Sequence, residues 1–179
     1  IQQMNSKNQK LPLLDPLGPH FNLSLFRPLN FTSRTKYLGV LLDVGRNYFS
    51  IDWIKRMIDL LSVLQYNLIH FRLTDDQTFN VHLQSQPDLA YPVQLFGNNK
   101  TYTPEELRDL VAYAKTRKIQ IIPEINVPGH AGSWAGIPGF IVQCPNFVCQ
   151  KGYGLPLNVT HPKLRSVLTD VIREVIDIF

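Results

Sequence analysis

Four acidic residues and one histidine occupy comparable places in this sequence, each shortly after or at the end of an apolar run. Asp43 falls near the end of "YLGVLLDV" (37–44), Asp75 and Asp76 follow "LIHFRL" (68–73), and Glu124 lies near the end of "IQIIPEI" (119–125). His130 comes soon after, in "PEINVPGH". A carboxylate beside an imidazole accepts a hydrogen bond from one ring nitrogen and so sets the tautomer and basicity of the other. Asp75 is the candidate carboxylate, and "VPGH" reads as a rigid turn that would fix the ring. Singly, each residue has a plainer explanation. Asp after a strand commonly caps a turn, and Glu124 could pair with a nearby arginine such as Arg46. Their shared position after successive apolar runs is what points to a site, with Asp43, Arg46, Asp76 and Glu124 around the Asp75–His130 pair.

The apolar runs have strand length and little alternation, as expected of strands buried on both faces of a parallel sheet. Between them lie helical patterns. Ser50 can N-cap a helix carrying Ile54, Met57, Ile58, Leu61 and Leu64 at helical spacing, with Asn67 placed to end it. In "TPEE", Thr103 is an N-cap, Pro104 occupies the first helical position and Glu106 closes a capping box. Pro162 opens a final helix whose Leu164, Leu168, Val171, Ile172 and Val175 share a face. The order strand, helix, strand, helix, strand, helix predicts an α/β fold with right-handed crossovers. It is either an open doubly wound sheet or part of a barrel with its site at the C-terminal ends of the strands. Residues 1–36, proline-broken and without periodicity, read as an irregular N-terminal segment.

Composition narrows the functional classes. The 179 residues are 44% hydrophobic and 18% charged, which is globular and enough for one core. The net charge of +4 comes from scattered basic residues without interleaved aromatics, which argues against a nucleic-acid partner. The tightest basic group, Lys115, Arg117 and Lys118, falls at a helix end, where cations complement the helix dipole. No run of about 18 apolar residues predicts a membrane span. No dinucleotide fingerprint, P-loop, zinc-type Cys/His spacing or Gly-x-Ser-x-Gly elbow occurs, so neither a cofactor nor a metal is expected. Asn-x-Ser/Thr sites at Asn22, Asn30, Asn99 and Asn158 suggest glycosylation and a secretory, lysosomal or extracellular protein.

From about residue 37 to 179 the chain resembles the family 20 glycoside hydrolases, the β-N-acetylhexosaminidases of lysosomal type. The likeness runs through "LGVLLDVGRNYF", "NLIHFRLTDDQTF", "YTPEELRDLVAYAKTRKIQIIPEINVPGHAGSW" and "LPLNVTHP". It implies a (β/α)8 barrel, with residues 37–179 forming about three β/α units of a partial catalytic barrel. It also implies hydrolysis of terminal N-acetylhexosamine from glycans by substrate-assisted retention. In that reaction the sugar's acetamide oxygen attacks the anomeric carbon, an aspartate orients the acetamide and a glutamate protonates the leaving oxygen. Asp75 and His130 match the family's supporting pair for that glutamate.

The resemblance also has departures. The Asp-Glu pair sits in a His-x-Gly-Gly-Asp-Glu motif on the fourth strand, expected beyond Phe179, so the chain alone is expected to lack both central carboxylates and to be inactive. The sugar-gripping arginine before the first-strand glycine is replaced by Leu38, the histidine two after His70 by Arg72, and the aspartate before "VPGH" by Asn126, the candidate substrate-binding residue. Lysosomal relatives place a cysteine near Cys144 whose partner lies past the catalytic motif. Here a Cys144–Cys149 bond, two free thiols or a link to another chain all remain open. Three β/α units leave strand edges and an inner face open, so a second polypeptide completing or covering the barrel is the expected partner. The alternative function is a non-catalytic half-barrel with a structural or interaction role in a larger assembly.

Overall fold

A computed structural model describes residues 35–89, 101–144 and 154–179. Most of the expected irregular segment, the sequons at Asn22, Asn30 and Asn99, and Cys149 lie outside the described residues. The elements are β1 (Gly39–Asp43), α1 (Ile51–Val63), β2 (Leu68–Arg72), α2 (Pro104–Thr116), β3 (Gln120–Glu124) and α3 (Leu164–Ile178). The strands form one sheet in the order β1-β2-β3, both pairs parallel. This is the expected α/β alternation, and among the described residues β1 and β3 are the edge strands.

Register decides which side chains meet. Gly39, Leu68 and Gln120 are aligned across the sheet, then Leu41, His70 and Ile122, then Asp43, Arg72 and Glu124. Side chains alternate along a strand, so these rows share one face, while Val40, Ile69 and Ile121 with Leu42, Phe71 and Pro123 line the other. The second face packs into the core with Ile54, Ile58, Leu107, Leu110, Val171 and Val175 of the helices. On the first face Leu41 is 57% and Ile122 42% exposed. The expectation of strands buried on both faces therefore holds for one face only among the described residues, because all three helices lie on the other.

Pro123 shows how the edge is built. The Gln120 amide donates to Asn67 and the Glu124 carbonyl accepts from Leu73, so alternate residues of β3 face β2. Pro123 falls on the other set, and its missing N–H costs no bond to β2.

The helices start mostly as their sequences dictate. The Ser50 side chain accepts from the Trp53 amide at 3.3 Å. The Thr103–Glu106 capping box is complete, with bonds of 2.9 and 3.2 Å. Two boundaries differ from expectation. α1 stops at Val63 rather than near Asn67, whose amide instead accepts from Leu38 N and donates to Lys36 O, fastening the entry to β1. α3 starts at Leu164, because His161 to Lys163 form a turn closed by the Leu164 amide on His161 O. Its buried stripe is Leu164, Val167, Val171, Val175 and Ile178, which leaves Ile172 half exposed rather than on the core face. Of the basic group at the end of α2, Arg117 does more than complement a dipole. Its Nε lies 2.7 Å from Asp59 of α1 and its guanidinium lies over the Tyr113 ring, bridging the two helices.

Glu174 of α3 clips the loop after β2, its carboxylate accepting from the amides of Gln84 at 2.7 Å and Ser85 at 2.9 Å. Partial burial pushes this carboxyl up, but the hydrogen bonds from Ser85 and Gln84, with Arg108 nearby, outweigh it and hold its pKa below the ordinary carboxylate value. A carboxyl depressed in the folded state adds stability above its unfolded pKa of about 4.3 that is lost as pH falls through the folded value. Acid unfolding of the Glu174→Gln variant, followed by circular dichroism, should therefore show a weaker loss of stability below about pH 4.3 than the parent.

Candidate functional site

The site is assembled at the C-terminal end of the sheet. The row Asp43–Arg72–Glu124 places one basic side chain between two acidic ones, each from a different strand end. Arg72 Nη1 is 3.3 Å from Asp43 Oδ2 and Nε is 3.2 Å from Glu124 Oε1. Its Nη2 meets Asp75 Oδ2, and its side chain is 13% exposed. Glu124 therefore pairs with Arg72, and through its other oxygen with His70, rather than with Arg46. Parallel register explains the choice, since β2 lies beside β3 whereas Arg46 follows β1 across the sheet.

Asp75, 1% exposed, is the centre. Its Oδ2 faces two guanidiniums, Arg72 and Arg46, the latter at 3.1 Å. Its Oδ1 accepts from the Asp76 amide at 2.7 Å and lies 3.3 Å from His130 Nδ1. Arg46 also returns to Asp43, by a backbone bond of 3.1 Å and a side-chain approach of 3.4 Å. The expected Asp75–His130 pair is thus formed, and Asp43, Arg46, Asp76 and Glu124 surround it.

The loops that hold these groups are tied together by short polar links. The side chains of Thr78 and Asn80 donate to Gly45 O and Val44 O, joining the loops after β1 and β2. Gly45 is required there, because a Cβ would lie 2.8 Å from the Thr74 carbonyl carbon. Thr74 Oγ1 accepts from the Asn126 amide at 2.8 Å, and the Asn126 side chain donates to Thr74 O at 2.6 Å. Asn126, the candidate substrate-binding residue, thus spends its side-chain nitrogen joining the loops after β2 and β3. Beyond it the Val127–Pro128 bond is cis, and His130 takes φ 51°, a left-handed conformation that histidine adopts more readily than most residues. The turn expected from "VPGH" is present.

Asp76 does different work from its neighbour. Its Oδ1 accepts from Gly132 N at 2.9 Å and its Oδ2 from Gly154 N at 3.2 Å, anchoring two further loops. Asp75, Asp76 and His130 offer ligand atoms within 4.8 Å of one another. Two guanidiniums lie against Asp75 Oδ2, and both Asp76 oxygens accept from backbone amides. Cys144 is exposed, and its candidate partner Cys149 lies outside the described residues. Asn158 stays partly accessible, its Oδ1 accepting from Thr160 Oγ1 at 2.7 Å and its Nδ2 donating to Gly139 O at 3.2 Å.

Sequence reasoning found the acids and the histidine but not the cationic centre. Alternation on β2 puts His70 and Arg72 on one face, and parallel pairing puts that face beside Asp43 and Glu124. Those two patterns together were the available signal.

Residues 36–179 match the model of the family described as glycosyl hydrolase family 20, catalytic domain. The chain is 32% identical over 155 residues to a β-hexosaminidase of Emericella nidulans, covering 80% of this chain and 25% of the relative. It is 32% identical over 165 residues to a chitooligosaccharidolytic β-N-acetylglucosaminidase of Bombyx mori, covering 88% and 27%. Among solved structures, an exo β-N-acetylglucosaminidase of Vibrio harveyi in complex with N-acetylglucosamine aligns with a TM-score of 0.70 at 29% identity, over 82% of this chain and 26% of that one. The chain spans about a quarter of the length of these relatives.

A Cβ at Gly132 would lie 2.9 Å from Asp76 O and 3.2 Å from its Oδ1. Gly132→Ala should therefore push apart the loops carrying Asp76 and His130, lowering stability by about 1–3 kcal/mol in urea denaturation.

Proposed function

Because the chain belongs to glycosyl hydrolase family 20, we propose that it supplies the first three β/α units of a (β/α)8 barrel that removes terminal N-acetylhexosamine from glycans. The observation that carries the reading is the buried Asp75 carboxylate 3.3 Å from His130 Nδ1 at the C-terminal ends of the strands. Barrel enzymes of this kind assemble their sites at that end. In the proposed mechanism the acetamide oxygen of the sugar attacks the anomeric carbon and displaces the leaving oxygen, and water then opens the cyclic intermediate with retention. Asp75 and His130 form a relay that supports the acid protonating the leaving group. His-x-Gly-Gly-Asp-Glu does not occur within the 179 residues. The acid and the carboxylate that orients the acetamide therefore come from outside them, on the strands that complete the barrel.

This reading carries with it passage through the secretory pathway to a lysosomal or extracellular site, which the sequons support. A second reading, a non-catalytic subunit, is favoured by Leu38 standing where the resemblance implies a sugar-gripping arginine. A leucine makes no charge-assisted bond to hydroxyls.

The test is hydrolysis of a fluorogenic N-acetyl-β-glucosaminide by the natural protein with every copurifying polypeptide retained. Turnover blocked by a thiazoline mimic of the cyclic intermediate is expected. Asp75→Asn and His130→Gln should each lower kcat by roughly 10²-fold, the scale of a positioned acid–base group. A sample that contains His-x-Gly-Gly-Asp-Glu and still shows no turnover would instead support the non-catalytic subunit. Treatment with a peptide N-glycosidase is a separate check on the compartment, with a loss of glycan mass from the peptide containing Asn158 as the expected result.

A further inference from the structure

The relay has an unusual counterweight. Asp75 Oδ2 faces Arg72 and Arg46 together, and only Oδ1 is left for His130. Arg72 is the better placed of the two cations. It projects from β2 itself, is 13% exposed against 44% for Arg46, and is held by Asp43 and Glu124 on either side. Three carboxylates from the ends of three strands thus fix one guanidinium, and that guanidinium fixes the carboxylate beside the histidine.

We propose that Arg72 is a positioning residue that sets the protonation state of His130 through Asp75. By lying against Oδ2 it leaves Oδ1 to the imidazole, so that the neutral ring carries its proton on Nδ1 and presents an unprotonated Nε2. By neutralising Asp75 it also withholds the negative charge that would otherwise favour imidazolium, since opposite charges within a few ångströms stabilise the charged form. Among the described residues the groups acting on His130 are Asp75 at 3.3 Å and Asp76 Oδ2 at 3.9 Å, both after β2. Arg46 after β1 and Arg72 on β2 act behind Asp75, and Asp43 and Glu124, the latter shared with His70, act behind Arg72. Asp76 is committed to the amides of Gly132 and Gly154, which leaves Arg72 and Arg46, among the described residues, as the cations acting on this pair.

The inference rests on Asp75 and His130 forming the relay of the proposed function, but its test reads the imidazole directly. A protein that hydrolyses nothing can therefore still support or refute it. The whole protein is labelled with ¹⁵N-histidine, the His130 signals are assigned with His130→Gln, and the ring is titrated by NMR in the parent, Arg72→Gln and Arg72→Lys. In the parent the neutral ring should show the Nδ1–H tautomer. Arg72→Gln should raise the His130 midpoint by about one pH unit, and Arg72→Lys, which keeps the charge, should stay near the parent. An Nε2–H tautomer in the parent would overturn the proposal, and this measurement needs no variant to fold. Unchanged midpoints in both folded variants would also overturn it, even if both lower the melting temperature, because that would mark Arg72 as structural only.

Discussion

The Asp75 carboxylate is 1% exposed, and a carboxylate that far from water needs charged and polar groups close by, a requirement that organises the molecule. Removing a carboxylate from water costs several kcal/mol, recovered only when its lone pairs are met by well-placed charges and amides. Asp75 has two guanidiniums against Oδ2, and at Oδ1 one amide hydrogen bond and one imidazole. Those donors come from the loop after β1, from β2, from the turn after β2 and from the loop after β3. Satisfying this one charge brings all three strand ends together. The Thr78, Asn80 and Asn126 links to neighbouring backbone then keep the loops from drifting out of reach.

Parallel pairing makes the convergence possible. Asp43, Arg72 and Glu124 are far apart in sequence, yet a register without slip aligns them as the last row of the sheet. A shift of one residue would send Arg72 to the helix-covered face, where Phe71 and Ile69 now pack, and leave the acids facing one another. The helical core therefore holds the site indirectly. Phe71 and Ile69 under the sheet fix the register that puts Arg72 above it.

Much of this was legible in the chain. The strand and helix order, both N-caps and the Asp75–His130 pairing followed from apolar runs, capping residues and the positions of the acids. Helix ends were less legible. Asn67 is a plausible helix stop, but its amide finds a longer-range partner in the backbone entering β1. Pro162 is a plausible first helical residue, but a turn closed on His161 delays the helix. Glu124 went to Arg72 rather than Arg46 because partner choice depends on which strand lies alongside, and single-residue reasoning carries no such information. The exposed row of Leu41 and Ile122 was hidden for a related reason, since a continuous apolar run does not say how many layers cover it.

Pro123 bears on how the β3 edge behaves toward other chains. A parallel edge strand with free amides is a template onto which other chains can add, the route by which sheets grow into aggregates. On β3 the outward-facing set of backbone groups includes the one proline nitrogen, so a stray strand docking there meets a missing donor in the middle of the ladder. The edge keeps its bonding to β2 intact while being a poor seed for uncontrolled polymerisation. The same edge carries Ile122, which is 42% exposed on the open face of the sheet.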